Sequence, residues 1–167
     1  MLINDGIIAP AELAAILPPE DRLKKGPVAI VECLQDIPCD PCVSACPRKA
    51  ISMKEGITDK PHLDPAVCNG CTLCVASCPG LAIFVVNLAH AARAATVTLP
   101  YEMLPVPKEG GIVQALDRAG KAICEAKVLK VMKNKKYDRT LTVTIEVPKE
   151  QAMNARAIRV AQKGGKA

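Results

Sequence analysis

Aromatic residues are almost absent from this chain of 167 residues, which has no tryptophan, one phenylalanine and two tyrosines. A protein with so few rings cannot build the stacking platform on which single-stranded nucleic acids lie. We therefore expect no nucleic-acid partner.

Long apolar runs are missing as well. The most apolar stretch, residues 81–97, is interrupted by Asn87, His90 and Arg93. It is too short and too polar to span a bilayer. The N-terminus has no basic segment followed by an apolar core and a cleavage site, as a signal peptide would have. We expect a protein without a membrane span that resides in the reducing cytoplasm, where free thiols persist.

The usual signatures of catalysis do not occur either. The sequence has no recognisable pair of general base and nucleophile, no glycine-rich phosphate loop and no flavin fingerprint. The chain by itself is therefore not expected to oxidise an organic substrate.

Cysteine, by contrast, is abundant, and seven of the nine cysteines form two copies of one pattern that lie 32 residues apart. The first copy has Cys39, Cys42 and Cys46 before Pro47, and the second has Cys68, Cys71, Cys74 and Cys78 before Pro79. The second copy is the complete C-x2-C-x2-C-x3-C-P run that holds iron–sulfur clusters in bacterial ferredoxins. The pattern predicts one-electron chemistry.

The first copy lacks its leading cysteine, because Asp36 occupies the position equivalent to Cys68. Two 4Fe–4S clusters require eight protein ligands, and the repeats supply seven. The eighth ligand could be Cys33, three residues upstream, or the harder carboxylate of Asp36. A 3Fe–4S cluster with one corner missing, or the loss of this cluster, are further alternatives. Cys33 could also be a small buried apolar residue at the end of a strand.

Zinc and disulfides fit the cysteine pattern less well. Structural zinc sites pair two C-x2-C units across a longer spacer and stop at four ligands. Disulfides are typical of secreted proteins, and nothing in this sequence indicates secretion.

Residues 27–86 resemble the bacterial two-cluster ferredoxin domain, and the second run matches its motif fully. In that family the fourth cysteine of each run serves the other cluster. The resemblance implies that one cluster is held by Cys68, Cys71, Cys74 and Cys46, and the other by Cys39, Cys42, Cys78 and the disputed ligand. Gly70 is expected to allow the tightest turn of the second loop, and Pro47 and Pro79 to fix the backbone after each crossing cysteine.

Three further segments resemble a narrower family, the small iron–sulfur subunits of FAD-dependent amine or proline/hydroxyproline dehydrogenases of anaerobes. They are Val31–Cys42 (VECLQDIPCDPC), Cys78–Val86 (CPGLAIFVV) and Leu99–Leu104 (LPYEML). In those complexes a flavoprotein subunit oxidises the substrate and iron–sulfur subunits carry the electrons away. The resemblance implies two 4Fe–4S clusters, an FAD-containing partner subunit and further iron–sulfur subunits.

The predicted fold is α+β: a ferredoxin-like two-cluster fold with a pseudo-twofold repeat, followed by a small all-β unit. We predict an N-terminal docking extension over 1–26, the cluster domain over 27–95, a separate small β domain over 96–150 and a C-terminal tail over 151–167, which is weakly helical from Gln151 to Ala161. A short helix is expected over Pro10–Leu17. The proline-rich stretch Tyr101–Lys108 is expected to be irregular, since such segments are often extended and packed against another surface.

The formal charge of +5 is partly offset by the expected clusters. Each 4Fe–4S core with four thiolates carries about −2, so two of them would bring the protein to roughly +1. Basic residues cluster around one predicted turn, which is either a solvated turn or a docking patch for an acidic partner. This basic run contains Lys127, Lys130, Lys133, Lys135, Lys136 and Arg139. Cys124 is expected to be a buried apolar residue, and His62 and His90 to be isolated.

Three functions are compatible with these features. The first is an electron-transfer subunit of a multisubunit flavin-dependent dehydrogenase, since a diffusible carrier needs neither the N-terminal extension nor the β unit. The second is a free ferredoxin. The third is a binding module in which the clusters have only a structural role. Salt-sensitive binding of nucleic acid would be needed to support it.

Overall fold

The computed structural model describes residues 6–133 and 140–161. Lys135, Lys136 and Arg139 of the predicted basic run lie outside these residues. The helices are α1 (Pro10–Ile16), α2 (Glu20–Leu23), α3 (Pro41–Ala45) and α4 (Leu73–Ser77), with a 3-10 turn at Lys149–Gln151. The strands are β1 (Val28–Val31), β2 (Ile51–Ser52), β3 (His62–Leu63), β4 (Ile83–Asn87), β5 (Ala94–Tyr101), β6 (Ile112–Leu116), β7 (Ala122–Met132), β8 (Leu141–Pro148) and β9 (Ala157–Arg159).

Seven of these strands form one antiparallel sheet in the order β1-β4-β5-β8-β7-β6-β9. A second, two-stranded sheet joins β2 and β3. The mixed α/β architecture with a mainly antiparallel sheet is compatible with the ferredoxin-like part of the prediction. Among the described residues, no helix has the length and apolar character needed to cross a membrane.

The β unit that we predicted to be separate is continuous with the sheet of the cysteine-rich segment. Residues Val85, Val86 and Asn87 of β4 pair with Thr98, Val97 and Thr96 of β5. The predicted unit therefore extends an existing sheet edge instead of forming a sheet of its own. The reason is that the strand after Cys78 leaves one edge free, and the next strand in the chain satisfies its backbone hydrogen bonds.

The C-terminal segment also differs from the prediction. Instead of a weak helix after Gln151, the chain forms β9, which pairs with β6 through Ala157, Ile158 and Arg159. The preceding residues Ala152 and Ala155 are fully buried. Burial against the sheet decides the conformation here, because local helix propensity is only a weak preference.

The large sheet has two buried faces. One face carries the main apolar core, which includes Val28, Ile30, Phe84, Val86 and the odd-numbered residues of β5 and β8. The other face, formed by Ala29, Val31, Ile83 and Val85, packs against Cys42, Cys74, Cys78 and Val75. Alternation along β1 and β4 thus directs one set of side chains to the apolar core and the next to the cysteines.

A buried group of charges joins the two edge strands of the large sheet. Glu32 follows β1, and Arg156 precedes β9. The Arg156 Nε donates to the Glu32 carboxylate at 2.6 Å, and Arg118 of the β6–β7 turn donates to both Glu32 oxygens at 2.9 and 2.6 Å. We call Glu32, Arg118 and Arg156 the edge triad. It indicates that the sheet curls until its edges meet.

The cysteine-rich segment repeats its local structure at the same offset of 32 residues as its sequence. Helices α3 and α4 begin and end at positions 32 apart. The same shift converts the β1–β4 pairs Ile30↔Phe84 and Val31↔Ile83 into the β3–β2 pairs His62↔Ser52 and Leu63↔Ile51. Lys49 and Leu81, also 32 apart, both have a positive φ, of 54° and 52°.

The N-terminal segment contains the predicted helix as α1, which starts at Pro10, where the missing N–H is not needed. None of its residues is fully buried. The short helix α2 lies closer to the body of the protein, because Leu23 packs into the main apolar core. At least this part of the extension docks on the chain itself.

Candidate metal centre

The structure places Cys68 and Cys71 of the complete run near Cys74, together with cysteines of the other run. Burial raises the pKa of Cys74 to about 12, and the neighbouring thiols of Cys68, Cys71, Cys46 and Cys42 raise it further in that order. Such coupling requires short separations. Four of these cysteines, Cys46, Cys68, Cys71 and Cys74, line one cavity, and we call them the inner group.

A small enclosed cavity lies between the four cysteines of the inner group. Its wall is completed by Gly70 and Thr72 of the same loop, by Arg48 and Asn69, and by apolar residues. The apolar part of the wall consists of Ala29, Ala50, Ile51, Leu63 and Val85. A cavity that is lined by four thiols and otherwise mainly apolar suits a group bound through sulfur.

The remaining cysteines of the pattern form a second group, and Cys33 belongs to it. Burial raises the pKa of Cys42 to about 11, and Cys78, Cys33 and Cys39 add to the effect. The pKa of Cys33 is likewise raised, mainly by burial and then by the neighbouring Cys78 and Cys39. Cys33, Cys39, Cys42 and Cys78 are therefore neighbours, and we call them the outer group.

Asp36, the other candidate for the eighth ligand, lies on the surface. Its side chain is 73% exposed, and its Oδ1 is 3.8 Å from the Nζ of Lys60. Cys68, the residue at the equivalent position of the second copy, instead accepts two backbone hydrogen bonds on its sulfur. The two equivalent positions thus have different environments, because the first copy directs its carboxylate into water.

Backbone N–H groups point at the sulfurs at matching positions in the two runs. The N–H of Ala50 donates to Cys46 Sγ at 3.2 Å, and that of Ala82 donates to Cys78 Sγ at 3.4 Å. Each donor lies four residues after its cysteine, beyond the residue with positive φ. Such N–H groups stabilise negative charge on the sulfur. These two alanines were not identified from the sequence, although the repeated C-P-x-x-A tail marks them.

Pro47 and Pro79 are exposed and follow Cys46 and Cys78 at the ends of α3 and α4. Both cysteines have extended backbones, with φ and ψ of −83° and 105° in one and −78° and 111° in the other. A following proline favours this conformation in the residue before it. The two prolines thus end the short helices and turn each crossing cysteine away from its own loop.

Gly70 adopts a backbone that other residues avoid, with a φ of +68°. A Cβ at this position would lie 2.6 Å from Pro27 Cβ and 2.9 Å from the Pro27 carbonyl carbon. The N–H of Gly70 donates to Cys68 Sγ at 3.4 Å. Glycine is therefore needed here both for the turn and for the close approach to Pro27.

We expect the substitution Gly70→Ala to destabilise the protein by about 2–3 kcal/mol, because it adds backbone strain to a backbone clash. Thermal unfolding followed by circular dichroism would measure this. Gly56→Ala is the matched control, because a Cβ at Gly56 meets nothing within 4 Å and its φ is not positive. Equal melting temperatures for the two variants would contradict the expectation.

The arrangement differs from the site of a single metal ion. Across residues 6–133 and 140–161, no three His, Cys, Asp or Glu side chains converge closely enough to hold one ion. Zinc requires its thiolates within about 2.3 Å of one point. In a 4Fe–4S cluster each cysteine binds a different iron, so the sulfurs stand further apart. Grouped but separated thiols therefore fit a cluster better than zinc.

Comparison with known proteins agrees with this geometry. Residues 37–82 match the family model described as the 4Fe–4S dicluster domain. This segment is therefore similar to 4Fe–4S dicluster domains. The match begins at Ile37, so that both Cys33 and Asp36 precede it. The domain confirms an iron–sulfur protein with ferredoxin-like electron transfer, as the cysteine pattern predicted.

A distant relative extends the similarity beyond the dicluster domain. An uncharacterized ferredoxin of Methanocaldococcus jannaschii is 29% identical over 133 residues, which are 78% of this chain and 80% of the relative. The similarity thus includes strands outside the cysteine-rich segment. No solved structure matches the chain.

The remaining polar candidates take no part in the two cysteine groups. Cys124 lies on β7 and is half-buried, and burial raises its pKa. His90 Nε2 lies 2.8 Å from Glu146 Oε2. This histidine therefore has a partner, although we expected it to be isolated. His62 lies exposed on β3. The partner of His90 could not be predicted from sequence, because Glu146 lies 56 residues further along the chain.

Proposed function

We propose that this chain is the electron-transfer iron–sulfur subunit of a multisubunit flavin-dependent dehydrogenase of the amine or amino-acid type. Its partners are an FAD-containing subunit and further iron–sulfur subunits. Two 4Fe–4S clusters, when bound, would accept and release electrons one at a time. The chain's own residues hold the clusters, exclude water from them and present them to the partner.

Two cysteine groups of four support two clusters. The inner group of Cys46, Cys68, Cys71 and Cys74 provides one ligand set, and the outer group of Cys33, Cys39, Cys42 and Cys78 provides the other. Cys33 supplies the eighth thiolate in this proposal, because it neighbours Cys39 and Cys78 whereas Asp36 is solvent-exposed and lies near Lys60. Thiolate is also the softer ligand and better matched to iron in a sulfide cluster.

The common offset of 32 residues supports a pseudo-twofold relation between the two halves. Helices, ladder registers and the two positive-φ residues all repeat at this offset. An exchange of the halves would carry each cluster to the position of the other. We infer that the clusters lie on either side of this axis, as the crossing of Cys46 and Cys78 requires.

The observation that most favours a subunit over a free carrier is the apolar loop after β5. Met103, Leu104 and Val106 are 58%, 85% and 43% exposed. The loop is nevertheless held in place, because Tyr101 Oη donates to the Pro105 carbonyl at 2.8 Å and Thr140 donates to the Glu102 carboxylate. Apolar side chains on an ordered, projecting loop are typical of a surface that a partner covers.

The free ferredoxin is the second candidate. It is favoured by the printed name of the relative in Methanocaldococcus jannaschii, an uncharacterized ferredoxin of similar length. The exposed Cys71 suits either function, because a ligand at the surface shortens the path of an electron to any partner.

Anaerobic purification of the tagged chain from its native host distinguishes these functions. We expect about eight irons per chain, an EPR signal of two coupled clusters after reduction with dithionite, and a stoichiometric FAD protein. The variant Leu104→Asp should lose the FAD protein while keeping all its iron. Eight irons without any flavoprotein would instead identify a free ferredoxin, and about four irons would disprove the second cluster.

A further inference from the structure

Arg22 of the N-terminal extension binds the loop of the inner cysteine group. Its Nε donates to the Pro65 carbonyl at 2.7 Å, and its Nη2 donates to the Cys68 carbonyl at 2.7 Å. Two weaker hydrogen bonds reach the carbonyls of Pro27 and Gly26 at 3.0 and 3.3 Å. One side chain therefore ties together the chain that enters β1 and the chain that enters the second cysteine run.

These contacts surround Cys68 from several directions. The sulfur of Cys68 accepts from the N–H groups of Ala29 and Gly70 at 3.5 and 3.4 Å, while its carbonyl accepts from Arg22. Gly70 also lies against Pro27, which Arg22 binds as well. Arg22 lies outside the dicluster match at residues 37–82, so the domain alone does not contain this contact.

The charge of Arg22 is not neutralised by its neighbours. A guanidinium remains protonated at all physiological pH values. All four acceptors are backbone carbonyls, and among residues 6–133 and 140–161 no carboxylate forms an ion pair with Arg22. A full positive charge thus lies next to Cys68, partly shielded from water.

We propose that Arg22 is a positioning residue that raises the reduction potential of the cluster held by the inner group. This rests on the proposed function, namely that Cys46, Cys68, Cys71 and Cys74 bind a 4Fe–4S cluster. One electron from an external donor makes such a cluster more negative. A cation held nearby stabilises that reduced form more than the oxidised form.

The test is a redox titration of the full-length protein, with the EPR signal of each cluster followed separately. Arg22→Gln removes the charge and keeps hydrogen-bond donors. Arg22→Lys keeps the charge but loses the planar guanidinium, whose nitrogens donate to several carbonyls at once. We expect Arg22→Gln to shift the one-electron equilibrium of the inner cluster about tenfold toward oxidation, which corresponds to ~59 mV. Arg22→Lys should stay near the unmodified protein, and the outer cluster should shift less in both.

The control is Arg93→Gln, which removes the same charge from an exposed side chain just before β5 and should shift neither cluster. An unchanged potential in Arg22→Gln with eight irons present would overturn this inference and leave the proposed function intact. Loss of the inner cluster from both Arg22 variants would also overturn it, because the hydrogen bonds of Arg22, and not its charge, would then account for its role. Absence of the inner cluster from the unmodified protein would overturn both.

Discussion

Replacement of Glu32 by glutamine is expected to destabilise the protein by about 3–5 kcal/mol, the cost of removing one partner from a buried ion pair. The Glu32 side chain is 6% exposed, and it accepts hydrogen bonds from Arg118 and Arg156. Glutamine fits the space but carries no charge, so that two guanidinium groups would remain in the interior without an anion.

The environment of Arg156 explains why this loss would be large. Burial lowers its pKa to about 10, against the opposing effect of Glu32. Its guanidinium carbon lies 4.8 Å from the centre of the Phe84 ring, and its Nη1 donates to the carbonyls of Ala152 and Ala155. Its Nη2 has no hydrogen-bond partner among the described residues. Without Glu32, the edge triad would consist of two cations and no anion.

Chemical denaturation of the protein, followed by circular dichroism, would measure the effect. The matched control is Glu20→Gln, which breaks an exposed pair with Lys24 and should leave stability unchanged. Arg156→Met should destabilise the protein less than Glu32→Gln does, because the opposite charges of Glu32 and Arg118 still balance each other. If Glu32→Gln unfolded at the same denaturant concentration as the control, the edge triad would not hold the sheet edges together.

Removal of Cys33 is expected to abolish or convert one of the two proposed clusters. Cys33→Ala should reduce the iron content from about eight to about four per chain, or to about seven if a three-iron cluster forms in its place. The reason is that alanine leaves the outer group with three thiolates, those of Cys39, Cys42 and Cys78. Asp36→Ala should leave the iron content unchanged, because that carboxylate is exposed and lies near Lys60.

Iron and acid-labile sulfide counted in anaerobically purified protein would measure these changes, together with EPR of oxidised and reduced samples. Cys124→Ala serves as the control, since this thiol lies on β7, outside both cysteine groups, and its loss should remove no iron. A loss of iron in Asp36→Ala, together with full iron in Cys33→Ala, would identify Asp36 and not Cys33 as the eighth ligand.

Several elements could be read from the sequence because their determinants are local. The helices at Pro41–Ala45 and Leu73–Ser77 and the strand at Val28–Val31 lie where the cysteine spacing and the local apolar pattern favour them. The turn at residues 117–120 contains Asp117 and Gly120, which are typical turn residues, and Gly120 has a positive φ of 76°. In each case, neighbouring residues determine the backbone without help from the rest of the chain.

Other features depend on contacts between distant residues. The pairing of β4 with β5, the strand β9 and the contact of Arg22 with Cys68 each join segments that no local pattern relates. The edge triad is the extreme case, since Glu32 and Arg156 are 124 residues apart. In sequence, a glutamate beside a cysteine and two arginines outside the strands look like ordinary surface residues.

The sequence by itself determined the chemistry of this protein. Seven cysteines at fixed spacings, each run followed by proline, specify iron–sulfur clusters, because ligand type and spacing are properties of short segments. Only the tertiary structure decided the surroundings of those cysteines: Cys33 lies beside Cys39 and Cys78, whereas Asp36 lies in water, and Arg22 lies against Cys68. Burial and charge at a site are contributed by whichever segments pack there, and packing is settled by the whole chain.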